Sequence, residues 1–233
     1  MNNYISVAID GPAGAGKTST AKALAKMLGY TYVDTGLMYR AIAYSVMNGM
    51  KQPMDVDDDW LKGNINRIHI AFPESGVVEM TVDPVGSCPD YHKACDDSAF
   101  RTELIGMGAS TLSKSPVVRG YLLDSQRAYS RKSNVIMEGR DIGTVVLPNA
   151  DYKFFLTAEL NERARRRLAD LQAKDAGADF NQVLSDLAAR DKQDTERAVA
   201  PLKQADDAIL VDNTNMSFEE TVEYILSIIS RNH

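Results

Sequence analysis

The chain has 233 residues, 44% of them hydrophobic and 25% charged, a balance that excludes a disordered polymer and suits one domain with insertions or two small ones. Its net charge of −6 argues against nucleic acid as the main partner. No apolar run approaches the roughly 20 residues that span a bilayer, so no membrane partner is expected.

The start, "MNNYISVAIDG", has no basic flank or cleavage site and reads as a first strand rather than a signal peptide. "GPAGAGKT" follows at once, Gly11 to Thr18. Next comes a helix in which Ala21, Leu24, Ala25 and Leu28 keep one apolar face, and Gly29 stops it. "YTYVD" is a second strand. Residues 67–82, "RIHIAFPESGVVEMTV", alternate in two runs about Pro73–Gly76, which predicts a hairpin inside a small antiparallel insertion over roughly 63–100. Within it Cys88, His92 and Cys95 form a C-x3-H-x2-C cluster without an obvious fourth ligand, and the cysteines read as reduced thiols of a cytoplasmic protein. "NVIME" and "YKFFLT" are two more strands. Residues 158–197 read as two helices joined around "KDAGAD". "AILVD" is the last strand, and Ser217 with Glu220 forms a capping box for a helix buried through Val222, Ile225, Leu226 and Ile229.

Strands alternating with helices give the α/β class, a five-stranded parallel sheet flanked by helices. In such sheets ligands bind past the carboxyl ends of the strands. Gly11 onward, Asp34-Thr35-Gly36, Gly139-Arg140-Asp141, the helical pair and Asp212-Asn213 fall there.

"GPAGAGKT" fits G-x-x-x-x-G-K-[ST] between an apolar strand and a helix, which marks a P-loop NTPase. Its glycines let several backbone N–H groups face one concavity at a helix N-terminus. Lys17 is expected to neutralise the terminal phosphates of ATP, and the Thr18 hydroxyl to ligate Mg²⁺. The phosphoryl group then goes to water or to an acceptor. The chain has no N-K-x-D guanine element, and "NVIMEG" runs from Glu138 straight into Gly139-Arg140, a poor match to a Walker-B metal acid. Asp10 is a candidate outer-shell partner for the metal.

Arginines discriminate further. Arg40, Arg140, Arg163, Arg165, Arg166, Arg167, Arg190 and Arg197 stand near these edges. If a helix runs through "RDKQDTER", Arg190, Asp194 and Arg197 share one face, either as a solvated ion-pair ladder or as a grip on an anion. Forked guanidiniums match the oxygens of a phosphoryl transition state. Asp191 and Asp194 then orient the arginines or accept from a sugar hydroxyl. A phosphate acceptor, with a second pKa near ~6, is already anionic at pH 7, and abundant arginine without a clear base favours it.

"AIDGPAGAGKTSTAKALA", "YVDTGLMYRAIA", "MEGRDIGTVVLPNADYKFFLTA" and "ARDKQDTERAVAPLKQADDAILVDNT" together resemble the bacterial cytidylate kinases over nearly the whole chain. The resemblance implies ATP-dependent, Mg²⁺-assisted phosphorylation of CMP and dCMP by a cytoplasmic monomer. It implies a single kinase domain with core 1–34, 105–157 and 198–233, a monophosphate-binding region 35–104 carrying the β insertion, and a helical lid 158–197. Residues Gly11, Pro12, Ala13, Gly14, Ala15, Gly16, Lys17, Thr18 and Ser19 would cradle ATP, and Arg163, Arg166 and Arg167 would close over it. Thr35 would face the monophosphate, and Arg40 and Arg140 would hold its phosphate. Asp141 would read the cytosine amino group with Ser110 and Arg119, unless it is ion-pair support for Arg140 or Arg119. Arg190 and Asp194 would contact the sugar and Arg197 the phosphates, with Lys17, Arg140, Arg190 and Arg197 catalytic. Residues 83–103 are more acidic and aromatic than the family run there.

Overall fold

The structure, a computed structural model, describes residues 4–50, 56–71, 77–83, 91–173 and 177–231. In chain order the first elements are β1 (Ser6–Asp10), α1 (Lys17–Leu28), β2 (Thr31–Asp34), α2 (Thr35–Tyr44), α3 (Asp58–Asn64), β3 (Ile68–Ala71), β4 (Val77–Val82) and β5 (Tyr91–Asp96). Then come α4 (Glu103–Leu112), α5 (Pro116–Ser130), β6 (Val135–Gly139), β7 (Tyr152–Thr157), α6 (Leu160–Gln172), α7 (Phe180–Glu196), β8 (Ile209–Asp212) and α8 (Phe218–Ser230). The chain divides into two compact units, Met1–Asp34 with Arg127–His233, and Thr35–Gln126.

The first unit carries the parallel sheet, in the order β2-β6-β1-β7-β8. All five strand runs read from the sequence are its members. Val7, Ile9, Ile136, Phe154, Leu156 and Val211 of the strands are buried with Ala21 and Leu24 of α1 and Val222, Ile225 and Ile229 of α8. Each such large aliphatic side chain contributes about 1.5–3 kcal/mol on burial. The helix ends follow local chemistry. Gly29 closes α1 in the left-handed conformation, φ 68°, its N–H donating to the Ala25 carbonyl. Ser217 and Glu220 make the reciprocal capping box of α8. Helices α6 and α7 pack on each other around a smaller core of Ala164, Val183 and Leu187, which also takes in Ala13 of the phosphate loop.

The second unit holds an antiparallel sheet in the order β3-β4-β5. The two runs expected to form a hairpin pair as Ile68↔Val82 and Ile70↔Met80, and Val78, Met80 and Val82 bury one face of β4. Strand β5 was not expected. Its sequence, "YHKACD", offers no apolar face at period two, so nothing local marks it. Helices α2 and α4 pack together, and the Tyr44 ring meets Phe100 edge-on at 5.4 Å. Thr102 caps α4 by accepting from the Ile105 N–H at 3.3 Å. Pro73–Gly76, Cys88 and His233 lie outside the described residues, as do the side chains of His92 and Cys95. Among the described residues no helix is long and apolar enough to cross a membrane.

Candidate functional site

The phosphate loop leaves β1 at a buried strand end and enters α1. Gly11, Gly14 and Gly16 have φ of 148°, 76° and 86°, values a side chain resists. At Gly11 space also decides, because a Cβ there would collide with the Leu156 carbonyl oxygen of β7. Lys17, the first residue of α1, is 6% exposed and its Nζ donates to the Pro12 carbonyl at 2.6 Å. Burial and then the charge of Arg140 bring its pKa down to about 7, with Arg190 adding to the fall and Glu138 opposing it.

Sheet order explains a residue the sequence reading set aside. Strand β6 lies beside β1 with Ile9 opposite Glu138 and Asp10 opposite Gly139. The buried Glu138 carboxylate thus reaches the loop, where it is hydrogen-bonded by the Thr18 hydroxyl and by the Tyr32 hydroxyl at 2.5 Å. Burial, then the neighbouring Asp34, raises its pKa. An acidic group does stand where a Walker-B acid belongs, even though Gly139-Arg140 follow it directly. Asp10, by contrast, has both oxygens engaged: Ile142 N–H donates to one at 2.8 Å and Gly143 N–H to the other at 2.7 Å. Asp10 thus braces the backbone of the following turn from the end of β1. Its pKa is pushed up to about 6, by burial first.

Three of the expected arginines converge in this unit. Arg140 Nε donates to Asp194 Oδ2 at 2.8 Å, and Arg197 Nη2 lies 3.3 Å from Asp141 Oδ1. Arg190 acts electrostatically on both Lys17 and Asp194. Burial pushes the Asp194 carboxyl up, but Arg140, Arg190 and Arg197 more than reverse this and leave it below the ordinary carboxylate range. With Asp141 and Asp194 6% exposed and Arg197 9%, "RDKQDTER" is not a solvated ladder. The helix does stop one residue earlier than expected. Arg197 is extended, at φ −62° and ψ 139°, and its Nε donates to the Ala200 carbonyl at 2.6 Å. Ala200 precedes Pro201 and takes φ 50°, which turns the chain so that Leu202 N–H reaches the Asp194 carbonyl at 2.8 Å. Asp141 pairs with Arg197, a partner not considered from sequence.

The arginines expected to form a lid differ in commitment. Arg163 is buried and donates to the Ala13 carbonyl at 3.0 Å, the Ala158 carbonyl at 2.9 Å and Asp191 at 2.6 Å, so it ties α6 to the loop and to α7. Arg166 holds the Asn213 side chain at 3.0 Å and carbonyl at 2.8 Å, while Asn213 Nδ2 donates to the Ala15 carbonyl at 3.1 Å. Arg165 pairs with Glu162 at 3.2 Å, and Arg167 is exposed. Asn213 stood past a strand end in the sequence without a role; only the fold brings it to the loop.

The remaining expected residues lie in the second unit. Thr35 is buried at the start of α2. Arg40 donates to the Phe100 carbonyl at 2.9 Å and turns the Nη1/Nη2 edge of its guanidinium to Gly106, where a Cβ would come within 3.1 Å of both nitrogens. Arg119, 9% exposed, donates to the Ser113 carbonyl at 3.3 Å and sits 5.9 Å from the Tyr39 ring centre. Ser110 is half-buried on α4. Among the described residues no three His, Cys, Asp or Glu side chains gather to hold a metal.

The family model described as cytidylate kinase matches residues 7–231. A cytidylate kinase of Thermosipho melanesiensis is 42% identical over 224 residues, covering 96% of this chain and 95% of that one. One of Citrifermentans bemidjiense is 43% identical over 229 residues, covering 97% and 93%. One of Clostridium botulinum is 41% identical over 227 residues, covering 97% and 98%. A match of this length, on a parallel sheet whose phosphate loop opens beside buried arginine–aspartate pairs, settles the family: the chain belongs to the cytidylate kinases.

Proposed function

We propose that this chain transfers the γ-phosphoryl group of ATP to CMP and dCMP. The observation that carries the reading is the gathering of Arg140, Arg190 and Arg197 with Asp141 and Asp194 beside Lys17. Gly11 to Ser19 cradle the triphosphate, and Lys17 leaves the Pro12 carbonyl for its terminal oxygens. The planar guanidiniums of Arg140 and Arg197 meet oxygens of the acceptor and transferring phosphoryl, with Arg190 and Asp194 at the sugar. The acceptor phosphate is anionic at neutral pH, with a second pKa near ~6, so these residues need supply no general base. Magnesium suits the Thr18 hydroxyl and the adjacent Glu138 carboxylate, two hard oxygen donors, and when bound it neutralises charge on the β- and γ-phosphates. Arg163 and Arg166 brace the loop end of the 158–197 lid, and exposed Arg167 meets the nucleotide on closing. In the second unit Thr35, Arg40, Ser110 and Arg119 serve the acceptor nucleotide.

Cytosine presents a donor at its 4-position where uracil presents an acceptor. The acceptor oxygens of Asp141 take the hydrogen bond of the first and oppose the second, and an unpaired buried polar group costs about 1–3 kcal/mol, or roughly ten- to a hundredfold. The test is coupled ADP release with CMP, dCMP, UMP, AMP and shikimate, run on the wild type and Asp141→Ala. CMP and dCMP are expected to drive turnover far above the rate without acceptor. The variant is expected to lose tens of fold in CMP-over-UMP preference. Slow turnover indifferent to every acceptor would refute the kinase reading, and an unchanged ratio would take Asp141 away from the base.

A further inference from the structure

An aspartate just ahead of a helical turn ordinarily folds its carboxylate over that turn's own free N–H groups. Asp141 stands in that place before the turn Ile142–Val146, at φ −146° and ψ 27°, yet its side chain makes no capping bond. The carboxylate is turned instead to Arg197. The N–H groups that it leaves are taken from outside: Ile142 and Gly143 donate to the two oxygens of Asp10, at 2.8 and 2.7 Å. Asp10 is 5% exposed at the end of β1, directly before the phosphate loop. A Cβ at Gly143 would touch Asp10 Oδ2 at an ordinary 3.4 Å and press on Cδ of the buried Lys153 at 3.2 Å.

We infer that Asp10 is a positioning residue which caps the turn Ile142–Val146 in place of Asp141, and so leaves the Asp141 carboxylate directed at the base of the acceptor nucleotide. The inference rests on the reading of Asp141 given above. Without Asp10 the two N–H groups are buried without an acceptor, and the nearest carboxylate in sequence is that of Asp141. Turning back to cap its own turn, Asp141 abandons both Arg197 and the base. The loss falls on recognition of the acceptor rather than on ATP.

The experiment compares wild type, Asp10→Ala, Asp10→Asn, Asp141→Ala and the double variant Asp10→Ala/Asp141→Ala in steady-state kinetics with CMP and UMP, alongside thermal melts. Asp10→Ala is expected to raise KM for CMP about tenfold, to lower the CMP-over-UMP ratio by a similar factor, and to leave KM for ATP within about twofold. The double variant is expected to show no further loss of ratio beyond Asp141→Ala, because both changes remove the same contact. Asp10→Asn keeps one acceptor oxygen and decides the matter if the alanine variant does not fold; it is expected to lower the ratio at least about threefold. If Asp141→Ala collapses the ratio while a folded Asp10 variant preserves it, the inference is wrong and the assignment of Asp141 stands. If Asp141→Ala leaves the ratio unchanged, that assignment falls and takes the inference with it. Equal increases in KM for ATP and CMP overturn it as well, since Asp10 then acts on the phosphate loop as a whole.

Discussion

Asp10 holds a carboxyl group where water scarcely reaches, and its titration has a definite sign. Burial raises its pKa from the ordinary 3.8 to about 6, and the two backbone N–H groups only partly offset this. A folded-state value above the unfolded one means that folding takes up a proton between these limits. The associated stability is fully present below pH 3.8 and lost as pH rises through about 6. The difference in unfolding free energy between wild type and Asp10→Asn is therefore expected to shrink by up to about 3 kcal/mol from pH 3.8 to pH 7. Urea denaturation at the two pH values measures it, and a difference independent of pH would contradict the burial shift. Legibility at this scale divides along one line. The placing of Lys17 and Thr18 at the start of α1, against the loop, was readable because a contiguous motif fixes it. Glu138 was not, because its meeting with Thr18 depends on β6 lying next to β1, a pairing no local pattern encodes.

Among the elements, α4 shows two demands in conflict. Gly106 lies inside the helix, where alanine would be favoured by about 1 kcal/mol, yet a methyl group there comes within 3.1 Å of the Arg40 guanidinium. Gly106→Ala is expected to raise the melting temperature slightly while raising KM for CMP severalfold, with KM for ATP unchanged. A stabilised variant with normal KM for CMP would separate Arg40 from the acceptor. Helix and strand limits were largely legible, since Gly29, Ser217 with Glu220, and the alternation of β4 are local signals. The exceptions are instructive. Strand β5 has no apolar face of its own and exists through pairing with β4. The end of α7 at Glu196 is set downstream, by Ala200 and the Leu202–Asp194 bond, beyond the reach of the i, i+4, i+7 pattern.

At the scale of the whole molecule, the helices α6 and α7 pack on each other and on Ala13 of the phosphate loop, and the chain enters and leaves the pair through Ala158-Glu159 and the stretch from Arg197 to Pro201. We expect the pair to pivot as a body on that contact, since closing over the nucleotides would exclude water from the phosphoryl transfer. Spin labels at Ala169→Cys on α6 and Lys26→Cys on α1, with both native cysteines replaced by serine, are expected to draw closer when ATP and a CMP analogue are bound together. Identical distance distributions in free and doubly liganded protein would rule closure out. The parallel class of the sheet could be foreseen from alternation, whereas its strand order and the division at Asp34 and Arg127 could not, because neighbouring strands lie far apart in sequence and α5 runs through the second boundary without a break. One more consequence concerns tolerance to exchange at a single position. The spot beside Gly11 is filled by the backbone of β7, so every other amino acid there obstructs the sheet itself. Any side chain at that position must push β7 away from the loop, so the chain cannot trade this glycine for alanine without loosening the sheet and the phosphate cradle at once.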